Sequence, residues 1–129
     1  MFTIDQIKNA HSKVKSGADF PNYIQELIVL GIVSYEIFVT DGHAVYSGKD
    51  NFNLEAPAKY APLTIAEKSN AQQFVQDLKK HQQGKTDYKT FCNDSAKNGI
   101  VKWIVNTVAM TCVYYDSDEN NVLTEKIPG

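Results

Sequence analysis

A weak internal repeat is the feature of this sequence that most restricts how the chain can fold. A shift of 67 positions, and of 68 after one inserted residue, lays the first half over the second. The aligned residues fall where local structure has a requirement: a helix cap, a helix stop, a helix face or a strand core. The aligned pairs are Gln6 and Gln73, Lys13 and Lys80, Gly17 and Gly84, Asp19 and Asp87, Tyr23 and Phe91, Tyr35 and Trp103, and Tyr46 and Tyr114. We therefore expect two diverged copies of one unit, at about residues 3–48 and 70–116, linked by residues 49–69.

Each unit begins with two helix signals. Thr3 followed by Gln6 is a capping box, and Asp19 before Pro21 is typical of a second helix start. Similar caps open two helices in the second unit, and a glycine ends each helix. These signals predict helices over residues 3–16, from Asp19 to Gly31, from Asn70 or Ser69 to Gly84, and from Asp87 to Gly99.

Residues rich in β-branched and aromatic types follow each helix pair and predict strands. Asp41-Gly42 is a two-residue hairpin signal between the first two strands. Strands are expected over residues 32–40, 43–47, 100–107, 110–115 and 122–127. Residues 48–62 carry turn-forming residues and are expected to form a long connection, which ends in an edge strand through Leu63 and Ile65.

The fold class expected from these elements is α+β, in one domain over residues 1–129. Two helix-helix-hairpin repeats form one mainly antiparallel sheet, and four helices pack on one of its faces. Alternation along the strands assigns Tyr35, Tyr46, Trp103, Cys112 and Tyr114 to the covered face. The opposite face then carries several apolar residues whose exposure would leave an unusually large patch in water.

The composition excludes several classes of function. The net charge is -2, and all 13 basic residues are lysines, so we expect no nucleic-acid partner. No apolar run is long enough for a membrane span, and residues 1–7 lack the features of a signal peptide. We therefore expect no membrane association and a cytoplasmic location, where Cys92 and Cys112 would stay reduced.

The second half of the chain resembles a known family. The resemblance is carried by His81-Gln82, Gly84-Lys85-Thr86-Asp87-Tyr88, Phe91-Cys92, Trp103, Met110-Thr111-Cys112, Tyr114-Tyr115-Asp116, Glu125 and Ile127-Pro128. This set is similar to an uncharacterised bacterial family of unknown function that is often labelled "putative phage envelope protein". The resemblance implies a link to phage-derived genes and one domain, but it implies no activity and no catalytic residues.

Two short motifs imitate ligand sites without meeting their requirements. Gly84-Lys85-Thr86 looks like the end of a P-loop, but Lys79 stands where the first glycine is needed and a helix precedes the motif. Asp116 begins an acidic alternation like that of a calcium loop, but the required glycine and glutamate are missing. The three histidines share no metal-ligand spacing. We expect no metal and no cofactor.

Two functions from different classes fit the sequence. The first is a binding or protein-interaction module that acts as a homo-oligomer through the open sheet face, on which we place Glu36, Phe38, His43, Val45, Lys102, Ile104, Asn106, Val113 and Tyr115. The alternative is a small enzyme with a cleft between the two repeats, whose candidate catalytic residues are His81, Lys85, Asp87, Cys112, Tyr114 and Glu125. A small-molecule ligand is compatible with both, and the reaction of the enzyme alternative is not specified.

Overall fold

The computed structural model describes residues 2–15 and 17–128, and within these ranges it has four α-helices and one six-stranded antiparallel sheet. The helices are α1 (Ile4–His11), α2 (Phe20–Leu30), α3 (Ala71–Gln82) and α4 (Tyr88–Lys97). The strands are β1 (Ile32–Phe38), β2 (Ala44–Gly48), β3 (Asn53–Ala56), β4 (Ile100–Asn106), β5 (Thr111–Asp116) and β6 (Asn121–Lys126). The sheet order is β3-β2-β1-β4-β5-β6, which confirms the predicted mixture of helices with an antiparallel sheet.

The helix ends follow the local signals in the sequence. Both hydrogen bonds of the capping box at the start of α1 are present. The Asn70 side chain accepts a hydrogen bond from the Gln73 amide at 3.1 Å, so Asn70 and not Ser69 caps α3. Asp87 caps α4 in the same way, with the Thr90 amide at 2.8 Å. These bonds satisfy amides that a helix leaves unpaired in its first turn.

The first helix is shorter than predicted. It ends at His11, while the prediction extended to Ser16, which lies outside the described residues. The Ser12 hydroxyl donates to the Asn9 carbonyl at 2.6 Å. Serine bonds of this kind compete with the helical ladder, and they favour a turn after His11.

The linking segment also differs from the prediction. Its edge strand is β3, which pairs with β2, whereas Leu63 and Ile65 lie outside every strand. Both are partly buried against the core. Leu63 is tied to Thr40 because its amide donates to the Thr40 carbonyl at 2.6 Å. The apolar character of Leu63 and Ile65 therefore reflects packing and not strand pairing, which the sequence alone does not distinguish.

The connection between β1 and β2 is longer than the predicted two-residue turn. It spans residues 39–43, and Gly42 adopts a positive φ of 75° within it. A β-carbon at Gly42 would lie 2.7 Å from the Tyr60 ring. The Tyr60 hydroxyl donates to the Val39 carbonyl at 2.6 Å. The linking segment therefore packs against this turn.

Burial alternates along the central strands and separates two sheet faces. On one face the side chains are buried, and they include Tyr35, Ile37, Ala44, Tyr46, Trp103, Val105, Cys112 and Tyr114. Helical side chains reach this face: the Phe74 ring of α3 lies 4.9 Å from that of Tyr114, and the Phe91 ring of α4 lies 5.5 Å from that of Trp103. The rings of Phe74 and Phe91 thus lie close to the large aromatic residues of the β4–β5 hairpin.

Candidate functional site

A cavity of about 570 Å³ lies between the buried sheet face and the surrounding helices. This volume is within the range of pockets that hold small molecules. Residues from both halves of the chain line it. Its walls include His11, Phe20, Tyr23, Tyr35, Ile37, Tyr46 and Lys59 from the first part, and Leu78, His81, Asp87, Tyr88, Phe91, Trp103, Cys112, Tyr114 and Glu125 from the second.

The sheet wall of the cavity is aromatic. Tyr35 pairs with Tyr46 across β1 and β2, with ring centroids 5.3 Å apart. Trp103 pairs with Tyr114 across β4 and β5, with centroids 6.0 Å apart. The period of two along a strand directs all four side chains to the same face. The rings of the two pairs are tilted, at interplanar angles of 32° and 49°, so the wall offers several ring faces and edges with which an aromatic molecule can interact.

Two polar groups in this wall have no protein partner. Tyr35 is 5 % exposed and Trp103 is 6 % exposed, and both line the cavity. In the described part of the chain, neither the Tyr35 hydroxyl nor the Trp103 Nε1 group forms a hydrogen bond. No fully inaccessible side-chain polar atom lacks a partner there, so both groups keep some access to the cavity. Buried polar groups are normally paired, and these two are available to a ligand.

His81 on α3 supplies an acceptor at the helical wall. Its ring stacks on Phe91 with centroids 4.5 Å apart, and its Nδ1 lies 3.1 Å from the Thr86 carbonyl oxygen. A carbonyl only accepts, so Nδ1 carries the hydrogen and Nε2 is the acceptor of the neutral ring. Desolvation lowers the pKa of His81 despite the opposing effects of the Thr86 carbonyl, Asp87 and Asp94. The neutral imidazole is therefore favoured at neutral pH.

His11 on α1 lies at another part of the cavity wall. Its ring meets the edges of the Tyr23 and Tyr88 rings, at centroid distances of 5.3 and 5.8 Å. Desolvation lowers the pKa of His11, and the positive charge of Lys59 lowers it further. Desolvation also lowers the pKa of the Lys59 ammonium group, which lies 5.5 Å from the Tyr88 ring centroid. This side of the cavity thus disfavours added positive charge.

Cys112 has the environment of a packed thiol. Burial raises its pKa to about 12, although a hydrogen bond with Tyr114 opposes the shift. Desolvation also raises the pKa of Tyr114 well above its ordinary value, and Cys112 and Glu125 add to that shift. The thiolate is the reactive form of cysteine, so the geometry does not activate Cys112 as a nucleophile.

Most of the residues suggested for an enzyme cleft line the cavity. His81, Asp87, Cys112, Tyr114 and Glu125 line the same cavity. Lys85 is not part of its wall, and its side chain is exposed. The Gln82 amide donates to both Glu125 carboxylate oxygens, at 3.1 and 3.3 Å, and joins α3 to β6 beside the cavity.

The contribution of the sheet aromatics to the cavity wall was not predicted from the sequence. Tyr35, Tyr46 and Trp103 were assigned to the covered face, but that face was treated as filled core. His11 and Lys59 were also missed. The predicted repeat contained one useful indication, because it aligned Tyr35 with Trp103 and Tyr46 with Tyr114. Whether helices fill the space above such a cluster depends on their distance from the sheet. That distance is set by tertiary packing and cannot be read from the sequence.

The residues predicted to form an interface lie away from the cavity, on the other sheet face and the nearby turn. All of them are half-buried except Asn106, which is exposed. Lys102 lies 3.5 Å from a Glu36 carboxylate oxygen and 5.6 Å from the Tyr115 ring centroid. Phe38 stacks on His43 at 4.2 Å. The Asn106 side chain accepts hydrogen bonds from the Val108 and Ala109 amides. The remaining interface residues are Val45, Ile104 and Val113.

The two look-alike motifs have structural roles. Gly84 to Thr86 connect α3 to α4, and the Asp87 carboxylate caps α4. Asp116 closes the turn between β5 and β6 by accepting hydrogen bonds from the Asp118 and Asn120 amides. Across residues 2–15 and 17–128, no group of three or more His, Cys, Asp or Glu side chains is arranged to hold a metal ion. No helix in those ranges has both the length and the apolar character needed to cross a bilayer.

A known family model matches most of the chain. The model of a family described as "Protein of unknown function (DUF1398)" matches residues 8–126. This match covers both halves of the cavity wall. No curated protein matches the chain.

Proposed function

Because the chain belongs to the DUF1398 family, whose description assigns no activity, we propose from the cavity alone that the protein binds a small, planar and largely apolar molecule. The observation that carries this proposal is the sheet wall of the cavity, in which Tyr35 and Trp103 present unpartnered polar groups among neighbouring aromatic rings. A preformed aromatic pocket with a few polar groups is the usual form of a small-molecule site.

Binding fits the groups in the cavity better than covalent catalysis does. The Cys112 thiol is protonated because burial raises its pKa to about 12. A protonated thiol is a poor nucleophile. The enzyme alternative then rests on acid-base chemistry at His81, whose neutral ring is a proton acceptor of the kind that general-base catalysis uses. Chemical change of a bound ligand would support that alternative.

We also propose that the two halves are diverged copies that enclose the cavity between them. Tyr35 opposite Tyr46 and Trp103 opposite Tyr114 are related by the same 68-residue shift. Both hairpins are irregular one residue after their first pair. The bond from the Val39 amide to the Val101 carbonyl, 2.9 Å, corresponds to that from the Thr107 amide to the Val33 carbonyl, 3.0 Å. These correspondences, and the helical rings over Tyr114 and Trp103, support one domain with four helices on one sheet face.

Association into a homo-oligomer through the opposite face stays a prediction. Its support is the set of half-buried apolar side chains on that face, which include Phe38, Val45, Ile104 and Val113. The Lys102–Glu36 ion pair and the His43 ring stacked on Phe38 lie on part of this surface. The largest exposed apolar side chains in the described chain lie elsewhere, at Ile28, Val29 and Val108.

The binding proposal is tested by calorimetric titration with naphthalene and with its saturated counterpart decalin. Both are apolar two-ring molecules, but only naphthalene is flat and carries π-electrons. Stacked aromatic pairs contribute about 0.5–1.5 kcal/mol beyond area burial, so we expect naphthalene to bind roughly tenfold more tightly. Equal binding of the two would show that the aromatic wall does not contribute to affinity. If neither binds at its solubility limit, the proposal is wrong.

A further inference from the structure

We infer that the ligand class is a neutral hydroxyaryl ketone, a flat aromatic molecule with a carbonyl group at one end and a hydroxyl group at the other. This inference rests on the proposed function, since it specifies the chemistry of the molecule that the cavity binds. It follows from which groups in the wall donate, which accept, and how they are arranged.

The sheet side of the cavity requires an acceptor on the ligand. Trp103 Nε1 is a donor only, and the Tyr35 hydroxyl has a hydrogen to donate. Burial raises the pKa of Tyr35 well above its ordinary value, so the hydroxyl keeps that hydrogen at neutral pH. Tyr35 lies opposite Val105 and Trp103 lies opposite Ile37, so the two side chains are diagonal neighbours on adjacent strands. A carbonyl oxygen has two lone pairs and can accept from both.

The helical side of the cavity requires a donor on the ligand. The Nδ1–H group of His81 is bonded to the Thr86 carbonyl, which leaves Nε2 as an acceptor without a partner among the described residues. A ligand hydroxyl could donate a hydrogen bond to His81 Nε2. A second carbonyl at this position would instead place two acceptors against each other.

Phe91 sets the spacing between these two sides. Its ring stacks on His81 at 4.5 Å and lies 5.5 Å from the Trp103 ring. One aromatic side chain therefore lies between the His81 ring and the Trp103 ring. A flat two-ring molecule has the length to reach past Phe91 from Trp103 to His81, and its apolar body would face the rings between them.

The charges around the cavity favour a neutral ligand. Lysine and carboxylate side chains are mixed in its wall, where they comprise Lys15, Lys59, Lys126, Asp87 and Glu125. Neither sign dominates, so the wall does not select for a charge of one sign. Burial of an unpaired charge is costly.

Four probes separate the requirements: naphthalene, 2-naphthol, 2-acetylnaphthalene and 6-acetyl-2-naphthol. They share one flat body and differ only in the hydroxyl and the carbonyl. We expect 2-naphthol and 2-acetylnaphthalene each to bind about threefold to tenfold more tightly than naphthalene, because each added group completes an unpaired group of the wall. 6-Acetyl-2-naphthol should bind most tightly.

Two substitutions assign each gain to its partner. His81→Phe keeps a ring on Phe91 and removes the acceptor, so it should abolish the gain from the hydroxyl and leave that from the carbonyl. Tyr35→Phe should reduce the gain from the carbonyl only. His43→Phe and Tyr115→Phe are matched controls, because they make the same changes away from the cavity, and His43 also stacks on a phenylalanine. Neither control should alter any affinity.

The outcomes distinguish this inference from the proposed function. If naphthalene binds and neither polar group adds affinity, the cavity binds planar molecules but the ligand class is wrong. A gain from the hydroxyl that survives His81→Phe would also contradict the assignment. If none of the four probes binds, the proposed function itself fails. Thermal unfolding of each variant, measured without probe, identifies any variant that does not fold.

Discussion

At the scale of single residues, burial determines which groups in the cavity are reactive. Cys112 is 4 % exposed and its pKa is raised to about 12, while His81 and His11 have lowered pKa values. Each shift has desolvation as its largest cause, and each favours the neutral form. The cavity interior is thus a weakly polar site with neutral donors and acceptors.

The raised pKa of Cys112 predicts a loss of stability in alkaline solution. The unfolded chain ionises this thiol above about pH 9, its ordinary value, whereas the folded protein keeps the proton up to about pH 12. The contribution is therefore complete below about pH 9 and is lost as the pH rises towards 12. Urea unfolding at about pH 8 and about pH 10 should show that Cys112→Val loses about 1 kcal/mol less than the native protein. Equal losses would contradict the buried placement of this thiol.

The residues of the site could be predicted only in part. His81, Asp87, Cys112, Tyr114 and Glu125 were grouped by their chemistry, and they do line one cavity. The sequence did not reveal that Tyr35 and Trp103 would lack partners. Hydrogen-bond satisfaction depends on which groups of distant elements come close, and strand periodicity contains no such information.

At the scale of elements, local signals predicted most helix and strand positions. Caps such as Asn70 and Asp87 act within one turn, and they mark the starts of α3 and α4 correctly. The edge strand β3 was missed because asparagine and proline, which are typical of turns, lie at and beside its ends in the sequence. Its pairing with β2 stabilises a segment that has weak strand propensity of its own.

Two glycines that the repeat aligns provide an element-scale prediction. Gly31 and Gly99 end α2 and α4 with positive φ values of 95° and 77°. A β-carbon at Gly31 would meet nothing within 4 Å, but at Gly99 it would lie 2.6 Å from the Lys68 carbonyl oxygen. Gly31→Ala should lower the free energy of unfolding by about 1–2 kcal/mol, from backbone strain alone.

Gly99→Ala should cost a further 1–3 kcal/mol or so, because the linking segment must move away from the new methyl group. Chemical denaturation of the two variants compares the costs directly. A smaller cost at Gly99 than at Gly31 would show that residues 68–69 do not lie against the end of α4.

At the scale of the whole molecule, the two sheet faces have different proposed roles. The covered face forms the wall of the cavity, and the opposite face carries Ile104 and Val113 between polar residues. The sequence predicted this division from alternation along the strands. It suggested a cleft between the two repeats only in the enzyme alternative, and it did not predict an open space between helices and sheet, because that space is set by the packing of all the elements together.

The homo-oligomer is tested by placing a charge on the open face. Ile104→Asp should weaken association by at least tenfold, because the new carboxylate would lose water without gaining a partner in an interface. Val108→Asp is the matched control, since Val108 is 78 % exposed in the turn after β4. Sedimentation at several concentrations measures both. A native protein that stays monomeric at high concentration would contradict the prediction.

The binding proposal is tested most directly at Trp103, the only tryptophan in the chain. Its indole N–H group gives a single nuclear magnetic resonance signal from the centre of the cavity wall. During titration with 6-acetyl-2-naphthol, we predict that this signal moves downfield as the N–H group gains an acceptor, and that the movement saturates at one ligand per chain. Signals from Val29, which is 86 % exposed on α2 and is not part of the cavity wall, should not move. A Trp103 signal that stays fixed while the ligand binds would place the ligand elsewhere and contradict the proposal.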